Sequence, residues 1–137
     1  MRLVAVLACV LVVAGCATTG TPEAAEELSR HSETLVPESA EVVDISEGVC
    51  VQLAGNPVCA RIFLTLDGSE DERADELVRT AEAAGWAVAE REKLGGGTAL
   101  VFERLGYRAF AAVWTTSCPA GKPDEACADE IQVIKDF

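Results

Sequence analysis

Between residues 58 and 115 the apolar positions alternate, change to a helical spacing, and then alternate again. Ile62, Leu64 and Leu66 recur every second residue, which puts them on one face of a strand. Asp67-Gly68 marks a turn. Ser69, followed three residues later by Glu72, forms a capping box. Ala74, Leu77, Val78, Ala81 and Ala84 then recur at helical spacing, and Gly85 supplies a stop. The pattern predicts a helix over 70–84.

Alternation resumes at Trp86 to Glu92, with Trp86 and Val88 inward and Glu90 outward. Gly95-Gly96-Gly97 leads into a strand over 98–105, and Gly106 marks a second tight turn before a strand from Tyr107 to Thr115. Phe110, Ala112 and Trp114 share one face of that strand and, with Phe63, Trp86 and Phe102, are expected in the core. Tyr107, Ala109, Ala111 and Val113 fall on the other face, a small apolar surface suited either to a contact patch or dimer contact or to cover by the segment around Val42 to Leu53. Val49 to Leu53 and Ile131 to Ile134 add short strands at either end. A β-α-β-β-β order with such extras predicts an α+β fold, a small antiparallel-rich sheet with one main helix packed on one face.

The chain before this domain has a different character. Residues 17–41 are rich in Thr, Ser, Glu, Pro and Ala, and only Leu28, Leu35 and Val36 are sizeable apolar groups. So little apolar surface does not offset the entropy of ordering, so the stretch is expected to be a tether spanning about 25–30 Å. Thr21-Pro22 permits a transient helix from Pro22 to about His31. Ahead of it stand one basic residue, Arg2, and an unbroken apolar run from Leu3 to Ala14. That run is shorter than the about 20 residues a bilayer-spanning helix needs, and its layout is that of a secretory signal.

The run closes on Val13-Ala14-Gly15-Cys16. This resembles the lipobox of bacterial lipoproteins, an aliphatic residue and two small ones before the lipidated cysteine. The resemblance covers residues 1–16 and implies cleavage after Gly15, diacylglycerol on Cys16 and an acyl anchor, palmitate among the chains, holding the protein on the extracytoplasmic side of a cell membrane. Residues 1–15 are then the signal peptide, 16–41 the lipidated cysteine and tether, and 42–137 a single domain. The partner implied is the lipid bilayer, through acyl chains that each contribute about 0.8 kcal/mol per buried methylene.

With Cys9 in the leader and Cys16 lipidated, Cys50, Cys59, Cys118 and Cys127 remain. An even set in an exported chain predicts two disulfides, with three connectivities open. Turn residues at 54–57 and 119–123 favour the local pairs Cys50–Cys59 and Cys118–Cys127. Each would constrain the unfolded chain by roughly 2.5–3 kcal/mol. Eight residues between partners are too many for a zinc knuckle, and no Cys-x-x-Cys pair is present to tune a thiolate.

Charge narrows the function further. The net charge is −12, which opposes nucleic acid, whose phosphates require Lys and Arg, and opposes lying flat on an anionic membrane surface, which attracts basic segments. His31, the one histidine, falls in the expected tether, away from any fixed site. Asp67, Glu70, Asp71, Glu72, Asp75 and Glu76 cluster at the helix start, where carboxylates complement the helix dipole but lack the spacing of a calcium loop. Asp124, Glu125, Asp129 and Glu130 read as a solvated loop. The glycine run lacks the strand–loop–helix setting and the lysine of a phosphate loop. No catalytic residue, metal or cofactor is expected. The sequence points to a non-enzymatic envelope binding module, whose partner is an envelope protein or a basic extracellular protein. Two alternatives are a small cell-wall hydrolase using paired carboxylates and an inhibitor of a basic hydrolase.

Overall fold

The computed structural model describes residues 22–49, 58–119, 124 and 126–135. The leader, Cys16, Cys50 and most of the expected strand at 49–53 lie outside them. The elements are α1 (Pro22–Glu33), β1 (Glu41–Val49), β2 (Val58–Thr65), α2 (Glu70–Ala83), β3 (Ala87–Leu94), β4 (Gly97–Arg104), β5 (Tyr107–Trp114) and β6 (Asp129–Lys135). The fold is α+β and sheet-dominated: six antiparallel strands in the order β1-β2-β6-β5-β4-β3, with two helices rather than one. β6, the last described strand, is inserted between β2 and β5.

Helix α2 begins as its local chemistry dictates. The Ser69 hydroxyl accepts from the Glu72 N–H, and the Ser69 N–H donates back to the Glu72 carboxylate. Ala74, Leu77 and Ala81 are buried against the sheet. Leu100, Phe102, Ala109, Ala111 and Val113 of β4 and β5 lie beneath the helix, and Ile62, Leu64, Ile131 and Val133 continue the same buried face across β2 and β6. This layer is the core.

Helix α1 packs on that same face, over β2 and β6. The segment expected to be a tether is therefore ordered and docked from Pro22 onward. Composition undercounted it: Leu28 and Leu35 are both buried in the core, so two well-aimed leucines suffice. Polar contacts fix the seam between the helices. The Trp86 Nε1–H donates to Thr34 Oγ1 at 2.9 Å, and the Thr34 hydroxyl donates to the His31 carbonyl at 2.6 Å. Ser39 donates to a Glu76 carboxylate oxygen on α2.

Two facing assignments reverse. Tyr107, Ala109, Ala111 and Val113 are the buried side of β5, whereas Phe110 and Ala112 are half-exposed and Trp114 is 42 % exposed. Phe63 is also half-buried on the open side, leaving Trp86 and Phe102 as the buried aromatics with Tyr107. The cause is steric: helices lying close on a sheet require small side chains beneath them, and alanines at 109 and 111 share the buried layer with alanines at 74 and 81. Val88 is 37 % exposed because β3 is an edge strand whose register shifts between Val88 and Glu90. Asp129 and Glu130 belong to β6, not to a loop.

One disulfide, Cys118–Cys127, has both cysteines among the described residues. Cys59 is buried and also disulfide-bonded, to a partner outside them. Gly95-Gly96 turns β3 into β4 as a hairpin. The two-residue turn between β4 and β5 holds Leu105 at φ +49° and Gly106 at φ +79°. Both values are those of a type I′ hairpin, which glycine tolerates and leucine does not. Leu105 is 77 % exposed, so its side chain gains nothing from burial in return. Leu105→Asn is expected to stabilise the domain by about 1 kcal/mol, since asparagine tolerates this backbone; chemical denaturation with an unchanged slope checks it.

Candidate functional site

Two features stand out: a buried ion pair beneath a small cavity, and the uncovered face of the sheet. The ion pair starts from Arg73, one turn into α2. Its position in the helix points it inward with Leu77, so its guanidinium must find partners or remain desolvated. It finds them on three sides. Nη1 donates to Asp129 Oδ1 and Oδ2 at 2.7 and 2.8 Å, Nη2 to the Trp114 carbonyl at 2.6 Å, and Nε to the Gly68 carbonyl at 3.2 Å. Asp129 Oδ1 also accepts from the Trp114 N–H at 3.0 Å. Both side chains are only 2 % exposed.

Gly68 adopts φ +109°, and a β-carbon there would lie 2.5 Å from Glu72 Oε2. The turn that aims the Gly68 carbonyl at Arg73 thus requires glycine. Burial pushes the Asp129 carboxyl above its ordinary range, against the opposing pull of Arg73 and the Trp114 N–H. Above this pair lies a cavity of about 190 Å³ whose walls include Glu41, Thr65, Asp67, Ser117 and the disulfide cysteines 118 and 127. Both Asp129 oxygens are already engaged, which leaves the pair a structural clamp rather than an acid or base poised for a substrate.

The other carboxylates singled out by sequence are dispersed among structural tasks. Glu70 accepts from the Thr98 hydroxyl at 2.6 Å, and that bond, with one from Thr115, holds its carboxyl below the ordinary range. Asp71 pairs with Lys93, Asp75 with Arg91 and Glu130 with Arg61. Among the described residues no three His, Cys, Asp or Glu side chains are grouped so as to hold a metal ion. His31 is not on a loose segment: its ring stacks on Tyr107 at 4.0 Å between centroids and meets Trp86 edge-on at 6.4 Å. Burial, with Arg104 next in weight, lowers its pKa; Arg30 adds to this and Glu27 opposes it.

The candidate interface is the sheet face away from the helices. Cross-strand pairing lines up Val101 with Phe110 and Ala99 with Ala112. Phe63 and Ile134 lie on the same face of β2 and β6, and Trp114 and Leu94 continue the apolar strip toward one end. Two ion pairs cross it, Arg61–Glu130 at 2.7 Å and Arg108–Glu103 at 3.3 Å, and the Arg61 guanidinium lies 5.3 Å from the centre of the Phe63 ring. Asp44 on β1 and Glu90 and Glu92 on β3 form acidic margins on both sides. Among the described residues no element covers this strip. The alternation of the sequence carried it, but with the two faces of β5 exchanged. Arg73 left a fainter signal, a charge at the start of an otherwise apolar helical stripe.

No protein-family model, no curated protein and no solved structure matches this chain.

Two outcomes are expected from these contacts. Arg73→Ala leaves Asp129 buried and unpaired, and should cost about 3–5 kcal/mol in denaturant unfolding. For His31 the folded-state pKa lies below the unfolded one, so its contribution is complete above the ordinary imidazole value of about 6.5 and is lost as pH falls through the folded value. The wild-type chain should lose stability through this acid range, and His31→Gln should flatten that part of a stability–pH curve.

Proposed function

We propose that this chain is a membrane-anchored extracytoplasmic lipoprotein whose domain is a non-enzymatic binding module. The Val13-Ala14-Gly15-Cys16 sequence supports the anchor. No helix among the described residues is long and apolar enough to cross a membrane; the attachment proposed is through acyl chains on Cys16. The observation that carries the binding reading is the open sheet face, where Phe63, Val101, Phe110 and Trp114 form a half-exposed apolar strip between acidic margins. Exposed aromatics grouped with an arginine are the usual anchors of a protein contact. Asp44, Glu90 and Glu92, which hold no cation among the described residues, favour a partner with basic margins around an apolar centre.

The anchor is tested by feeding cells an alkyne-bearing fatty acid. The wild-type chain should take up the label and sediment with membranes, and Cys16→Ser should lose the label. Binding is tested by cross-linking in intact envelopes. Phe110→Glu should keep its melting temperature within a few degrees and lose the cross-linked partner. Turnover of cell-wall polymer by the purified domain, abolished by a single carboxylate substitution, would overturn the non-enzymatic reading.

A further inference from the structure

The cations are distributed unevenly in a way the net charge conceals. Arg61, Arg73, Arg91, Lys93 and Arg108 each hold a carboxylate. Arg30, Arg79, Arg104 and Lys135 hold none among the described residues, and three of these four gather at one end of the sheet. Arg104 and Lys135 flank Tyr107 as its ladder partners on either side. Neighbouring strands are about 4.8 Å apart, so the two cations stand on strands about 10 Å apart. Arg30 lies close enough to Tyr107 and His31 to act on both. Of the carboxylates at this end, Glu103 is paired with Arg108, Glu27 accepts from the Tyr107 hydroxyl and keeps its charge, and Glu82 lies in the last turn of α2; the three cations Arg30, Arg104 and Lys135 outnumber the two unneutralised anions.

At the tip of this end projects Leu105, the most exposed large apolar side chain described, on a left-handed backbone that leucine disfavours. Carboxylates that pair with no cation among the described residues, Glu41, Asp67, Glu72 and Asp124, lie at the opposite end. A protruding apolar residue collared by cations that hold no carboxylate among the described residues, on a molecule acidic at its far end, is the charge pattern that an anionic lipid surface orients. The chain also keeps that surface within reach. At full extension about 20 Å joins Cys16 to Pro22, and about 13 Å of helix joins Pro22 to His31 on Tyr107.

We propose that the Leu105 end docks on the membrane, with Leu105 entering the interface and Arg30, Arg104 and Lys135 meeting anionic headgroups. The orientation rests on the lipoprotein reading above; the docking surface is testable without it. The form beginning at residue 16, made with Cys16→Ser so that no acyl chain contributes, is mixed with phosphatidylcholine vesicles with and without phosphatidylglycerol. It should co-sediment with the anionic vesicles and be released by salt, because headgroup attraction fades beyond a screening length of about 8 Å at physiological ionic strength. Arg104→Glu and Lys135→Glu should each weaken this binding about tenfold or more. Leu105→Asn is the decisive variant: it should melt higher than the wild type yet bind several-fold less, so reduced binding cannot be ascribed to misfolding. Equal binding to both vesicle types, no binding to either, or an undiminished Leu105→Asn would overturn the proposal. Failure of fatty-acid labelling at Cys16 would instead overturn the anchor and leave the vesicle result standing.

Discussion

The Arg73–Asp129 pair is the constraint around which the rest of the molecule is arranged. It joins the turn at Gly68, the first turn of α2, the end of β5 and the start of β6 through one buried guanidinium. The first two segments are neighbours in sequence, as are the last two, and the guanidinium joins the one pair to the other across 41 and 56 residues. Removing two charges from water is costly, and the pair tolerates that cost only because each of its atoms is hydrogen-bonded. In exchange it fixes the register of helix on sheet: α2 cannot slide by a turn without stranding a buried charge. The Cys118–Cys127 bridge acts at the same place, closing the β5–β6 connection two residues before Asp129.

What the sequence disclosed follows from the range of the interactions involved. The helix over 70–84 was legible because a capping box, an apolar stripe and a glycine stop are local signals. Its observed span is Glu70–Ala83. The strands were legible from alternation, but alternation does not say which side faces inward. On β5 the larger side chains Phe110 and Trp114 suggested the wrong side, since the helices demanded alanines beneath them. α1 was underestimated for a related reason. Composition counts apolar residues, whereas packing depends on where Leu28 and Leu35 point. Asp129 lies 56 residues from Arg73, a separation that no local pattern reports. The open face was therefore anticipated as a feature, but its residues emerged only once the sheet was assembled.

Net charge proved a coarse guide in the same manner. The acidic excess is spread over helix caps, cross-strand pairs and one end of the molecule, whereas three cations that hold no carboxylate among the described residues gather at the other. A domain of this kind is an electric dipole as well as a polyanion, and the two descriptions predict different behaviour near a charged surface.

The placement of β6 has a consequence for how the chain acquires its structure. β1 with β2 forms one hairpin, and β3 to β5 form a separate meander; neither half touches the other in the sheet until β6 lies between them. During synthesis the two halves each expose a hydrogen-bonding edge and an unfinished core, with the residue that neutralises Arg73 still to come. The sheet is thus completed only by β6, and pairings over such long sequence separations are slow to form. Until β6 arrives each half keeps an unpaired strand edge, the arrangement most open to pairing with the wrong chain.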